Sequence, residues 1–345
     1  MKVIITGSSG LIGSNISQYY LNKGFNVIGI DNDQRKEFFG NEASNKKNLE
    51  ELSKNKEFIS HEIDIRNSEE VKKIFNNHKD VDMVIHAAAQ PSHDWARENK
   101  IIDFDINASS TLHLLETIKT VSTDIAFVYL STNKVYGDNP NKLDFVKGNK
   151  RYDLEKNHKY YAGIDTSMEI DGGIHSFFGI SKLTADLIVQ EYGKTYDMKT
   201  ICLRGGCLTG SNHNGAKAHG FLSYLVKCAK SSDKYVIEGY EGLQVRDNID
   251  AYDVSTVIEE FRKNPGSSEV FNIGGGRDNS ISIIEAIEKV EKILNKKMNY
   301  EISSQARLGD HIWYITDNTD LYNRFPDWKI TKNIDQILDE LINLN

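Results

Sequence analysis

No stretch of the 345 residues approaches the ~20 consecutive apolar residues that a membrane-spanning helix needs. Cysteine is scarce. Cys202, Cys207 and Cys228 are odd in number and lack the paired spacing of a metal site, so they read as reduced packing thiols of a cytoplasmic protein, and no metal is expected. A basic surplus is missing too: 42 Lys and Arg face 50 Asp and Glu, a formal net charge of −8. That balance argues against nucleic acid or an anionic membrane as the main partner and favours solubility. There is no internal repeat and no low-complexity linker. A first strand read from residue 2, in MKVIITG, leaves no room for a signal peptide.

What is present is alternation. KVIIT at 2–6, FNVIGI at 25–30, EFISHEID at 57–64, DMVIHAA at 82–88 and IAFVYLS at 125–131 read as buried strands, and KTICLRGG at 199–206 continues the series. Amphipathic stretches such as LIGSNISQYYLNKG and SEEVKKIFNNH lie between them. Strands alternating with helices imply parallel βαβ units covered on both faces, an α/β fold with a Rossmann-type, doubly wound parallel sheet. The polar segment from Asn32 to about Lys56 is long for a connection and reads as an elaborated loop or an added helix.

The first strand runs into Gly7, Gly10 and Gly13, and Leu11 and Ile12 open the helix pattern at once. Glycines there permit a tight turn, close backbone approach to a pyrophosphate, and helix packing on the sheet. Asp31 ends the next strand, with Asn32 beside it; a carboxylate there accepts both adenosine ribose hydroxyls and repels a 2′-phosphate, favouring NAD over NADP. Arg35 is the competing signal, since an arginine can welcome that phosphate, but it reads better as a surface charge. Asp64, followed by Ile65, is placed to meet the adenine amino group or to cap a helix. Ala87, Ala88 and Ala89 after the fourth strand let a cofactor lie against backbone, or are small core residues.

Further motifs follow in order: STNKVYG at 131–137, IHSFFGISK at 174–182, VRDNIDAYD at 245–253 and FNIGGG at 271–276. Nearly the whole chain resembles the extended short-chain dehydrogenase/reductase family of nucleotide-sugar epimerases and dehydratases, and within it the 2-epimerases of CDP-sugars. The resemblance implies an NAD-binding Rossmann domain at 1–203, rejoined by about 248–273, and a nucleotide-sugar-binding lobe at 204–247 and 274–345. It implies that Thr132 bonds the reacting sugar oxygen and that Lys182 holds the nicotinamide ribose. Arg246 and Arg307 become candidates for the nucleotide diphosphate, with Asp310 as a ribose or structural partner; the plain alternative for Arg246 is a salt bridge with Asp247. Gln90, Ser92, Asn133, Ser176 and His219 become candidates for the sugar-nucleotide wall, with Phe221 beside His219. A homodimer or homotetramer is expected by the same analogy.

Two groups that this chemistry uses elsewhere in the family are missing. Dehydratases resembling this chain place Asp and Glu just after the threonine; Asn133 and Lys134 stand here, and neither is a carboxylate base. The catalytic tyrosine four residues before Lys182 is replaced by Phe178, which can pack but cannot move a proton. His175, His86 and His93 are the candidates to serve instead, since histidine titrates in the useful range; alternatively, the phenylalanine is a change made to trap a substrate, or the chain binds its ligand without turnover. The expected function is epimerisation of a CDP-sugar at carbon 2 by transient oxidation with bound NAD. The alternatives are an oxidoreductase that releases its keto product and a non-catalytic nucleotide-sugar or dinucleotide binder.

Overall fold

Apolar runs that the chain buries on both sides become the strands of one large sheet. The computed structural model describes residues 1–210, 220–307 and 309–343. The first five strands are β1 (Lys2–Thr6), β2 (Asn26–Ile30), β3 (Phe58–His61), β4 (Met83–His86) and β5 (Ala126–Thr132). A short hairpin follows, β6 (Phe145–Lys147) and β7 (Tyr152–Leu154), then β8 (Thr200–Gly205), β9 (Cys207–Thr209), β10 (Tyr235–Glu238) and β11 (Val245–Asp250). The last are β12 (Glu269–Ile273), β13 (Ser280–Ser282), β14 (Tyr300–Ser303) and β15 (Trp313–Tyr314).

Seven strands form the large sheet in the order β12-β8-β5-β4-β1-β2-β3, every pair parallel. Side chains alternate across it. Val3 and Ile5 of β1 join the core under helices Leu11–Asn22 and Ala251–Lys263, whereas Ile4 joins the opposite core with Phe75, Leu115 and Val189. The strand order reverses between β1 and β4, and the crevice at their carboxyl ends is where such sheets take a ligand.

The second lobe is built on β11, which pairs with β13, β15 and β9, and on the small sheet of β10 with β14. Residues 248–250 belong to β11 and pair with β9, so the return to the large sheet's face begins with the Ala251–Lys263 helix. Val135, Tyr136, Leu154, Tyr160 and Ile164 share a core with Trp313, Tyr314 and Ile315 on the lobe side. Leu321, Phe325 and Trp328 instead pack in the Rossmann core. EFISHEID pairs only as far as His61, opposite Ile30, and the 32–56 connection carries a helix at Lys46–Leu52.

Candidate active site

The crevice between β1 and β4 is shaped by atoms that leave no room for side chains. Gly7 takes φ +67° directly after β1, and a Cβ there would sit 2.7 Å from the Ala88 nitrogen. A Cβ on Gly13 would sit 1.9 Å from the Gly7 carbonyl oxygen. Above Gly10 the space is open apart from the Gly7 oxygen at 3.3 Å and the Asn45 amide at 4.0 Å. The turn therefore delivers the amino end of the Leu11–Asn22 helix, with its unpaired N–H groups, to the crevice. Asp31 Oδ2 accepts the Ser9 N–H at 2.9 Å and Oδ1 the Asp33 N–H at 2.8 Å, so each oxygen keeps a lone pair for a ribose hydroxyl. This cradle fits a dinucleotide.

A cavity of about 490 Å³ starts here and crosses the carboxyl edge of the sheet into the second lobe. Gly7, Gly10, Leu11, Ile12, Gly13, Asp31, Asn32, Ile65, Ala87, Ala88 and Ala89 all line it. Asp64 does not. Its carboxylate, expected at the adenine, accepts from Arg66 at 2.6 and 2.9 Å and from the Asn32 amide at 3.0 Å. It does not cap the following helix either: Asn67 does, accepting the Glu70 N–H at 3.3 Å. Arg35, expected on the surface, lines the cavity with its guanidinium 4.8 Å from the Phe39 ring centre.

Further along, β5 ends at Thr132, whose Oγ1 accepts the Lys134 N–H at 3.2 Å and so caps the turn Asn133–Tyr136. Capping and cavity roles coexist, since Thr132 and Asn133 both line the cavity. Phe178 and Lys182 come from one face of the Phe177–Tyr196 helix and are buried. Lys182 Nζ donates to the Leu130 carbonyl oxygen at 2.8 Å and lies 4.2 Å over the Tyr129 ring; burial brings its amine down to about 7.

Of the three histidines, only His93 lines the cavity. His86 is sealed between the Thr6 and Thr111 hydroxyls at 2.6 and 2.9 Å, and burial, with the Lys182 charge adding, brings it down to about 3. The His175 ring nitrogens lie 3.1 and 2.8 Å from the Gly173 and Val135 carbonyl oxygens, away from the cavity.

On the lobe side, Arg246 and Arg307 line the cavity. Arg246 pairs with Asp310, not with its neighbour Asp247, whose carboxylate accepts the Gly276 and Thr316 N–H groups at 3.0 Å each. Burial alone would raise Asp310; Arg246 and Lys134 hold its carboxyl below the usual range instead. Arg307 pairs with Glu238 at 3.1 Å and Asp94 at 3.4 Å. Three residues expected at the sugar have protein partners. Gln90 is fully buried, its amide donating to Asp103 at 2.7 Å and to the Ser92 carbonyl oxygen at 2.9 Å. Ser92 and Ser176 are helix caps, accepting the Trp95 and Gly179 N–H groups at 3.2 Å each; Ser176 reaches the site through His93, 2.7 Å away. His219 lies outside the described residues, and Phe221 beside it lines the cavity.

The sequence reading missed Cys207, Lys134 and Glu238 as cavity-lining residues. Cys207 follows Gly205 and Gly206 at the carboxyl end of β8, and that position was the available signal. Glu238 had none, because β10 reaches the cavity only through the folding of the lobe.

The family model for the NAD-dependent epimerase/dehydratase family matches residues 3–274. The chain is 30% identical to CDP-paratose 2-epimerase of Salmonella typhi over 339 residues, 95% of this chain and 94% of the relative. It is 26% identical to UDP-glucuronate 4-epimerase of Thermodesulfobacterium geofontis over 305 residues, 86% and 82% of the two chains. Among solved structures, it is similar in fold to UDP-glucose 4-epimerase from Bifidobacterium longum (TM-score 0.81, 21% identity, 100% and 98% covered). It is also similar to dTDP-glucose 4,6-dehydratase from Bacillus anthracis (TM-score 0.76, 23% identity, 100% and 96% covered). With the glycine cradle at the switch point and Thr132, Phe178 and Lys182 gathered on one cavity, the chain belongs to the NAD-dependent epimerase/dehydratase family.

Proposed function

We propose that this protein is a nucleotide-sugar epimerase that inverts carbon 2 of a CDP-sugar. The observation that carries the reading is the turn after β5. Thr132 is followed on the cavity wall by Asn133 and Lys134, where 4,6-dehydration needs acid–base carboxylates, in a chain similar over its length to a CDP-paratose 2-epimerase. NAD supplies a reversible hydride acceptor when bound. Asp31 then receives the adenosine ribose, Lys182 the nicotinamide ribose, and Thr132 orients the sugar oxygen. Arg246, with Asp310 fixing its fork, and Arg307 face the diphosphate, which a guanidinium grips in bidentate fashion.

The same reading makes the protein a cytoplasmic homodimer or homotetramer. Phe177, Ile180 and Leu187 form an apolar stripe along the long helix, with Ile101 on the neighbouring helix, all 44% to 79% exposed. No helix among the described residues is long and apolar enough to cross a membrane.

Proton NMR of the purified protein with CDP-, UDP- and GDP-sugars in deuterated water tests the function. The expected result is inversion at carbon 2 of a CDP-sugar with no deuterium taken up at that carbon. Deuterium uptake would point to proton abstraction beside a ketone and sink the mechanism. Net NADH formation would identify an oxidoreductase that releases its keto product. Tight binding without turnover, persisting in Phe178→Tyr, would identify a binding protein.

A further inference from the structure

Oxidising a sugar alcohol requires a base at the reacting oxygen, and Phe178 offers none. We propose that Lys134 is that base. The inference rests on the epimerase reading above. The sugar alcohol gives its proton to the unprotonated Lys134 amine while its carbon gives hydride to NAD. The C–H and O–H bonds break, a new N–H bond forms on the lysine, and the electron pair leaves with the hydride. On the return, hydride re-enters from the opposite face and Lys134 gives the proton back to the alkoxide.

The geometry of the amine points to this role. Lys134 stands two residues after Thr132 on the cavity wall. Its Nζ donates to the Gly309 carbonyl oxygen at 2.9 Å and lies 3.4 Å from His311 Nδ1. His311 Nε2 is 2.8 Å from the Gly137 carbonyl oxygen, which only an N–H can satisfy, so Nδ1 is the acceptor. A neutral amine has two N–H groups and one lone pair. Gly309 and His311 take the two N–H groups, leaving the lone pair for the cavity.

The charges around it come from four elements. Asp310 favours the ammonium form; Arg246 on β11 and Arg307 oppose it; the Cys207 thiol on β9 and the His93 imidazole complete the surroundings. Burial outweighs these and brings the amine down to about 8, so both protonation states are accessible near neutral pH. The rivals are less suited. Burial, then Lys134 and Arg307, bring His93 down to about 3. Lys182, also on the cavity wall, donates to the Leu130 carbonyl oxygen over the Tyr129 ring and is the residue assigned above to the nicotinamide ribose.

The test has two readouts. In the NAD-loaded protein labelled with 13C at the lysine ε-carbons, Lys134 is assigned by loss of its signal in Lys134→Met and titrated by NMR. A midpoint near 8 is expected, against about 10.4 for ordinary lysines; a midpoint in that ordinary range overturns the proposal whichever sugar is turned over. On the sugar that the NMR panel identifies, wild-type kcat/KM should rise with pH and level off above about 8. Lys134→Met should lower kcat roughly 100-fold with KM little changed. Lys134→Arg should be equally slow, because a guanidinium keeps its proton. Adding Phe178→Tyr to Lys134→Met should restore turnover. A Lys134→Met enzyme with wild-type kcat, or with the same pH limb, overturns the proposal. Failure of every sugar counts against the epimerase reading, and an ordinary lysine midpoint counts against Lys134, so the two fail separately.

Discussion

The ring of Phe178 meets the imidazole of His93 edge-on, centroids 4.8 Å apart and planes at 64°. Ser176 holds the imidazole 2.7 Å away and caps the helix that carries Phe178, so one helix start sets both rings. Burial keeps the imidazole neutral, down at about 3. The pair packs; it offers no proton carrier at neutral pH.

Phe178→Tyr adds a hydroxyl to this wall. Turnover is expected to rise roughly tenfold to a hundredfold at about pH 6.5, where a lysine base is mostly protonated, and little above about pH 9. The pH–rate profiles of the two proteins check it.

Gly13→Ala drives a methyl group into the Gly7 carbonyl, 1.9 Å from an ideal Cβ. The variant should lose ~1–3 kcal/mol of stability and most of its NAD. Urea unfolding and chromatography of the dinucleotide released by heating measure the two effects.

Arg204 grips Asp186 with Nη2 at 2.9 Å and Nε at 3.2 Å, their side chains 5% and 0% exposed. The Ser131 hydroxyl donates to the same carboxylate. Asp186→Ala leaves a buried, uncompensated guanidinium and should cost ~3–5 kcal/mol, read as a lower urea midpoint.

Burial raises Asp247 to about 6, against the N–H groups of Thr316 and Gly276 that lower it. The folded protein therefore holds this proton after the unfolded chain has lost it, and stability from this group falls as pH rises from about 4 to 6. In Asp247→Asn that slope should vanish. Thermal unfolding of both proteins across the window decides it, and equal slopes would contradict the assignment.

Ile180→Glu places a charge on the exposed apolar stripe of the long helix. The wild type should run as a dimer or larger assembly and the variant as a monomer of unchanged melting temperature, by light scattering after size exclusion.

The dinucleotide cradle was legible because it is made of strand ends read in chain order: Gly7 after β1, Asp31 after β2, Ala87 after β4. Alternation of short apolar runs with amphipathic segments was enough for the parallel sheet, since a strand buried on both faces must be apolar throughout. Thr132 and Lys182 were placed by the frame of motifs around them.

Side-chain partners were a different matter. Arg246 and Asp247 are neighbours in sequence, but successive residues of a strand point to opposite faces, so Arg246 meets Asp310 and Asp247 meets Gly276 and Thr316. Gln90, Ser92 and Asp64 looked like ligand contacts because they sit beside the right strands; packing turned each toward the protein. The sequence by itself determined the sheet, the cradle and the missing tyrosine. Only the tertiary structure decided that His86 is sealed and that Lys134 faces the cavity beside Gly309 and His311, about 175 residues further along the chain. Burial and long-range neighbours set an amine's protonation, and neither is written in local spacing.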